Sequence, residues 1–238
     1  MYFVNWQRDV SIQRLGGRTV VIKKNKSTKD FHEYLLAATY SVMSVLMAHP
    51  SAPPPAGKIT LGNEGNAMRD NLKRLGISTP FLISISDDTI IEEYVEGGNL
   101  YKAFADEDNK KNIIRSLAFQ AGALTGKMHK AGYVFTDNKS QNYLVNFDNS
   151  IVRTDLGFIN ITNSIFAKSM DIASFLASVI DFEQSQYDTI EEGFREGYVS
   201  VVRRNFPYLY LLLRNILSLG FASDQSAMIQ NMTKGYRV

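Results

Sequence analysis

Residues 128–158, MHKAGYVFTDNKSQNYLVNFDNSIVRTDLGF, constrain the chain more than any other stretch. Asp137, Lys139 and Asn142 fall on one short loop, in the pattern D-x-K-x-x-N. Asp155 follows thirteen residues after Asn142, in Asp155-Leu156-Gly157. Between them Tyr143-Leu144-Val145 and Ser150-Ile151-Val152 read as two short apolar strands, joined by a polar turn at Asn146, Asp148 and Asn149. A hairpin there returns Asp155 to the side of the loop. Such a return would set two carboxylates, an amide and an ammonium group side by side.

This layout resembles the active site of the protein-kinase-like superfamily. The resemblance implies ATP as phosphoryl donor and Mg²⁺ or Mn²⁺ as the metal. Asp137 matches the catalytic-loop Asp and Lys139 the phosphate-contacting Lys of many Ser/Thr protein kinases. Asn142 and Asp155 match the metal ligands. Phe135 and Thr136 stand where His and Arg, or His and Gly, usually precede the catalytic Asp. Leu156 stands where Phe is usual.

Upstream, Val10 to Leu15 alternates with period two and Gly16-Gly17 is a hairpin turn. Val20-Val21-Ile22-Lys23 then reads as a third strand, similar to the family's Val-Ala-Ile-Lys. By alternation Lys23 shares a face with Val21, which selects Lys23 for the phosphates, with Lys24 as the fallback. The family's Gly-rich loop belongs between the first two strands, yet residues 2–10 contain no glycine. Residues 1–30 hold seven Lys or Arg against Asp9 and Asp30. Apart from Lys23, these basic residues read as solvated edge charges.

Residues 31–48 read as a helix that is apolar nearly all round and must therefore be covered, by its own lobe or by a partner. Pro50 to Gly57 is a stiff linker. A helix over 63–75 follows, capped by Asn63 and closed by Gly76. The resemblance implies that Glu64 on this helix pairs with Lys23; a carboxylate there also suits the helix dipole. Strands at 81–86 and 89–94 lead into Glu93-Tyr94-Val95-Glu96-Gly97-Gly98, which resembles a kinase hinge with adenine contacts from the main chain of Glu93 and Val95. Glu92 then stands at the back of the nucleotide pocket, where a carboxylate needs a partner such as a nearby Lys.

Residues 109–130 form an amphipathic helix, with His129 a structural residue at its end. A helix over 169–182 carries Asp171, which either ties down the catalytic loop or is an ordinary first-turn Asp. No long activation segment or Ala-Pro-Glu follows Gly157. This brevity resembles RIO kinases, the KEOPS-complex kinase and Kdo-type lipopolysaccharide kinases. Glu192-Gly-Phe-Arg-Glu-Gly-Tyr198 resembles a phrase of the KEOPS kinase, and Thr189 with Glu192 makes a capping box.

Together these features imply an α+β, bilobal protein-kinase-like fold. Residues 1–95 form a small antiparallel β N-lobe with helices and an insertion near 31–57, and 96–238 a mainly helical C-lobe. The chain has 238 residues, 45% hydrophobic and 21% charged, as in an ordinary globular domain. A net charge of +2 does not call for nucleic acid. Zero cysteines and three dispersed histidines argue against a zinc site. No signal peptide is visible, and the apolar stretches fall short of the roughly 20 residues that span a bilayer. A cytoplasmic setting without a transmembrane segment is expected. The expected function is phosphoryl transfer by a small atypical Ser/Thr protein kinase, with a protein substrate and a regulatory partner at 31–57. The alternatives are a KEOPS-type ATPase module, a Kdo-type small-molecule or glycolipid kinase, and a pseudokinase scaffold.

Overall fold

The computed structural model describes residues 8–221 and 225–234. The glycine-free turn expected before the hairpin lies largely outside these residues. β1 (Arg8–Leu15) and β2 (Arg18–Asn25) form an antiparallel hairpin, with Leu15 opposite Arg18 and Arg8 opposite Asn25. Gly16 and Gly17 have φ of +55° and +79°, the left-handed pair that a two-residue hairpin turn requires. β2 also pairs with β4 (Thr89–Glu93), and β4 with β3 (Leu82–Ile85), so the sheet runs β1-β2-β4-β3. Among the described residues the Lys23 strand is therefore the second, not the third.

The first helix, α1 (Lys29–Leu46), is apolar nearly all round but covered on one side only. Tyr40, with Met43 and Met47, packs on Phe166, Met170 and Leu213, and the Tyr40 and Phe166 rings meet edge to face at 5.0 Å. These partners lie on α6 (Ile165–Ala177) and α8 (Tyr210–Phe221). The cover thus comes from the helical lobe, while Phe31, Tyr34, Val42, Val45 and Leu46 stay exposed. The helix expected over 63–75 is broken: α2 (Lys58–Asn63) ends where it was to begin, and α3 (Asn66–Arg74) follows Gly65. Asn63 caps nothing; its amide donates to the carbonyls of Gly157 and Ile159, both at 2.9 Å.

In the helical lobe, α4 (Leu100–Ala105) leads to α5 (Lys111–Lys130), and α7 (Gln184–Val202) lies along α5. The packing is close because glycines line it. A Cβ on Gly122 would overlap the Phe194 carbonyl, and one on Gly197 the Phe119 carbonyl. This explains Glu192-Gly-Phe-Arg-Glu-Gly-Tyr198, whose two glycines, Gly193 and Gly197, share a helix face. Thr189 lies inside α7 and donates to the Ser185 carbonyl at 2.8 Å, so it makes no capping box. α6 begins at Ile165 because the Ser164 hydroxyl accepts from the Ala167 N–H. Asp171 is consequently interior to α6, not in its first turn. The short hairpin of β6 (Tyr143–Val145) and β7 (Ile151–Arg153) forms as expected. α9 (Gln225–Lys234) completes the described elements.

Candidate active site

The loop after β5 (Tyr133–Val134) is held from below by Asp171. One carboxylate oxygen accepts from the Phe135 N–H at 2.7 Å, the other from the Thr136 N–H at 2.6 Å. His129 Nε2 lies 3.2 Å from the same carboxylate, and His129 Nδ1 lies 3.1 Å from the Tyr198 hydroxyl. His129 is thus structural, but buried in this network rather than paired with a helix dipole. The grip on two consecutive amides holds Thr136 at φ +65°, which a β-branched residue rarely adopts.

Asp137, Lys139 and Asn142 meet directly. Lys139 Nζ is 2.9 Å from Asp137 Oδ2, and the Asn142 amide donates to Asp137 Oδ2 at 3.0 Å and to the Asp137 carbonyl at 2.9 Å. Burial opposes charge on Lys139, yet Asp137 and then Asp155 raise its pKa. The Asn142 carbonyl accepts from the Thr154 N–H at 3.0 Å, so the hairpin delivers Asp155 one residue beyond Asn142's own partner. Asp155 also has a positive φ, +59°.

Arg153 is a site residue that the sequence reading passed over, since it ends a strand otherwise read as apolar. It is fully buried, with its guanidinium over the rings of Phe135 and Tyr143 at 4.3 and 4.8 Å. Its Nη2 donates to the Asp137 carbonyl at 2.8 Å. The Phe at position 135 thus serves as a platform for an arginine from β7.

From the sheet side, Lys23 and Glu64 do not form the expected pair. Lys23 Nζ lies 2.5 Å from Glu92 Oε1 and donates to Thr154 Oγ1 at 2.8 Å. Glu92 also accepts from Arg69 at 3.0 Å and from the Thr154 hydroxyl at 3.1 Å, so its charged partners are the nearby Lys and one Arg. Its own strand position explains the exchange: Glu92 lies opposite Val21 in the register, beside the strand that carries Lys23. Lys24 is exposed and takes no part. Glu64 is buried and instead accepts from Arg8 Nη1 at 2.7 Å and from the Gly157 N–H at 3.2 Å.

Arg8 also reaches Asp155 Oδ1 at 3.2 Å. By sequence it is one of the solvated edge charges; the structure buries it. The signal was present: Arg8 lies opposite Asn25, and Asn25 shares a strand face with Lys23. Burial works against an ionised Asp155, but Arg8, then Lys23, Lys139 and Arg153, hold its pKa at about 2.

Glu93 and Val95 lie at the end of β4 and just beyond it. The Glu93 N–H donates to the Phe81 carbonyl at 3.0 Å, and Val95 is buried. The Val145 N–H donates to the Gly98 carbonyl at 2.9 Å, and Asn99 bridges to Leu144. Gly97 has no room for a Cβ against the Val145 carbonyl. The segment between the lobes is thereby stitched to the hairpin that separates Asn142 from Asp155.

The donors suit a hard cation. An amide oxygen and a carboxylate are the ligands Mg²⁺ takes when phosphates supply the rest. Among the described residues no cluster of three or more His, Cys, Asp or Glu forms a metal cage by itself. Lys23 and Lys139 bring ammonium groups to the same place, Lys23 paired with Glu92 and Lys139 with Asp137.

No family model matches the chain. Several curated proteins are similar to it. The "probable bifunctional tRNA threonylcarbamoyladenosine biosynthesis protein" of Methanocaldococcus jannaschii is 30% identical over 135 residues, 56% of this chain and 24% of that protein. The "EKC/KEOPS complex subunit BUD32" of Encephalitozoon cuniculi is 32% identical over 108 residues, 45% of this chain and 52% of that one. The "probable serine/threonine-protein kinase BUD32 homolog" of Archaeoglobus fulgidus is 23% identical over 129 residues, 54% and 60% of the two chains. The matched stretch thus spans about a quarter of the first relative and about half of the smaller ones. By its α+β fold, its loop layout and these likenesses, the chain is similar to the small atypical branch of the protein-kinase-like superfamily.

Proposed function

We propose that the chain binds Mg·ATP and turns it over as a KEOPS-type kinase or ATPase module, working with protein partners in tRNA threonylcarbamoyladenosine formation. One observation carries the reading: Asp137, Lys139 and Asn142 are bonded to one another, next to Asp155 on the returning hairpin. The similarity to the KEOPS subunit and the bifunctional tRNA-modification proteins favours this over a free-standing protein kinase. In this reading residues 1–95 and 96–238 are the two lobes around the nucleotide. Main-chain groups of Glu93 and Val95 receive adenine, and Lys23 holds phosphates. Asn142 and Asp155 hold Mg²⁺ or Mn²⁺, which offsets charge on the phosphates. Asp137 orients and deprotonates the attacking hydroxyl or water, and Lys139 offsets charge on the transferring group. The work is placement and electrostatics. The direct ligands in this proposal are ATP, metal and protein, with the exposed row on α1 as the protein contact.

The test follows the γ-phosphate of ATP with Mg²⁺, as free phosphate and as label on protein, in wild type, Asp137→Ala and Asp155→Ala. Free phosphate that disappears in both variants supports the ATPase module. Turnover that persists in both variants overturns the site. A second reading, a Ser/Thr protein kinase, is favoured by the Lys139–Asp137 pair; it predicts label on protein exceeding free phosphate.

A further inference from the structure

Arg8 lies where no catalytic part was assigned. Its guanidinium bridges two carboxylates, Glu64 at 2.7 Å and Asp155 at 3.2 Å, and its Nε donates to Asn25 Oδ1 at 3.2 Å. The three anchors are unequal. Glu64 is fully enclosed, whereas the Asp155 side chain is 28% exposed and is the longer contact. Arg8 can therefore release Asp155 and remain in place through Glu64 and Asn25. A carboxylate oxygen that already accepts from a guanidinium is a poorer ligand for a divalent cation. The cation must displace that donor or share the oxygen against the repulsion of a fixed positive charge.

We propose that Arg8 competes with the divalent cation for Asp155: its guanidinium holds Asp155 Oδ1, and metal entry requires the Arg8–Asp155 contact to open while Arg8 stays on Glu64. The inference rests on Asp155 being a metal ligand, as proposed above. Arg8 is then a positioning residue. It holds Asp155 Oδ1 at 3.2 Å and sets how tightly metal binds.

The experiment is a titration of the full chain with Mn²⁺ in the presence of a saturating, non-hydrolysable β,γ-imido analogue of ATP, read from the electron paramagnetic resonance signal of protein-bound Mn²⁺. It compares wild type, Arg8→Gln, Arg8→Gln with Glu64→Gln, and Asp155→Asn. The double variant leaves the net charge unchanged and strands no buried carboxylate, so it tests the idea even if Arg8→Gln alone does not fold. The expected result is Mn²⁺ binding about tenfold tighter without Arg8, the scale of one lost competing ion pair, and loss of binding in Asp155→Asn. Equal or weaker binding without Arg8, with loss in Asp155→Asn, overturns the competition while leaving the metal site intact. Binding that Asp155→Asn does not change, or no binding in any form, overturns the metal assignment and the competition with it.

Discussion

Asp171 shows how one side chain sets a loop. It receives two main-chain N–H groups and faces His129, all buried. An amide at this position has one acceptor oxygen, and its NH₂ would oppose a backbone N–H. Asp171→Asn should cost about 3 kcal/mol, the scale of breaking a buried charge-assisted network. Urea unfolding measures it. Glu92 presents the contrasting case of a buried carboxylate with two cations. Burial raises its pKa, but Lys23 and Arg69 more than reverse this and leave it lowered. Glu92→Gln should destabilise by a similar amount, because Lys23 and Arg69 would then be buried without a countercharge. Loss of less than about 1 kcal/mol would show that water reaches this cluster. The sequence contained both carboxylates but not their partners. Sequence alone fits Asp171 to two roles equally well, and the start of α6 at Ile165 decides between them; the Glu92 partners come from different elements.

At the scale of elements, the α5–α7 contact depends on bare backbone. Gly197→Ala places a methyl in the Phe119 carbonyl and should cost about 3 kcal/mol or more as the helices part. Gly220, on α8, has nothing near its added Cβ. Gly220→Ala should stabilise by up to about 1 kcal/mol from helix propensity alone. Equal effects at the two positions would refute the account of the glycine phrase. α1 makes a similar contrast. Tyr40→Ala empties the contact with Phe166 and should cost about 3–4 kcal/mol, whereas Leu46→Gln on the open side should stay within about 0.5 kcal/mol. Both are read by thermal or urea unfolding. Periodicity showed that α1 is apolar on several sides; it could not show which side meets α6 and α8.

At the scale of the whole molecule, the lobes are joined by charge as well as by chain. Arg8 and Glu64 come from the sheet side and Asp155 from the helical side. Asn63 adds two bonds to the backbone at Gly157 and Ile159. Asp155 falls from the usual 3.8 to about 2 on folding, so its contribution to stability is present above the unfolded value and is lost as pH drops through about 2. Glu92, also lowered, acts in the same direction. Stability should therefore decline below about pH 4, and Asp155→Asn should flatten that decline. Urea midpoints between about pH 5 and pH 2.5 check it, and an unchanged slope in the variant would assign the acid response to other carboxylates.

What the sequence determined by itself was local. The loop of Asp137, Lys139 and Asn142, the hairpin to Asp155 and the Gly16-Gly17 turn depend on offsets of a few residues. Chain geometry at that range leaves few alternatives. The tertiary structure decided which charges meet. Lys23 found Glu92 instead of Glu64, Glu64 found Arg8, and Arg153 slid over Phe135 beneath Asp137. Asn63 bound the loop after Asp155 instead of capping a helix. The physical reason is that a buried charge takes whichever countercharge the packed elements bring within reach. That choice is made across dozens of residues of chain, where spacing carries no record of distance.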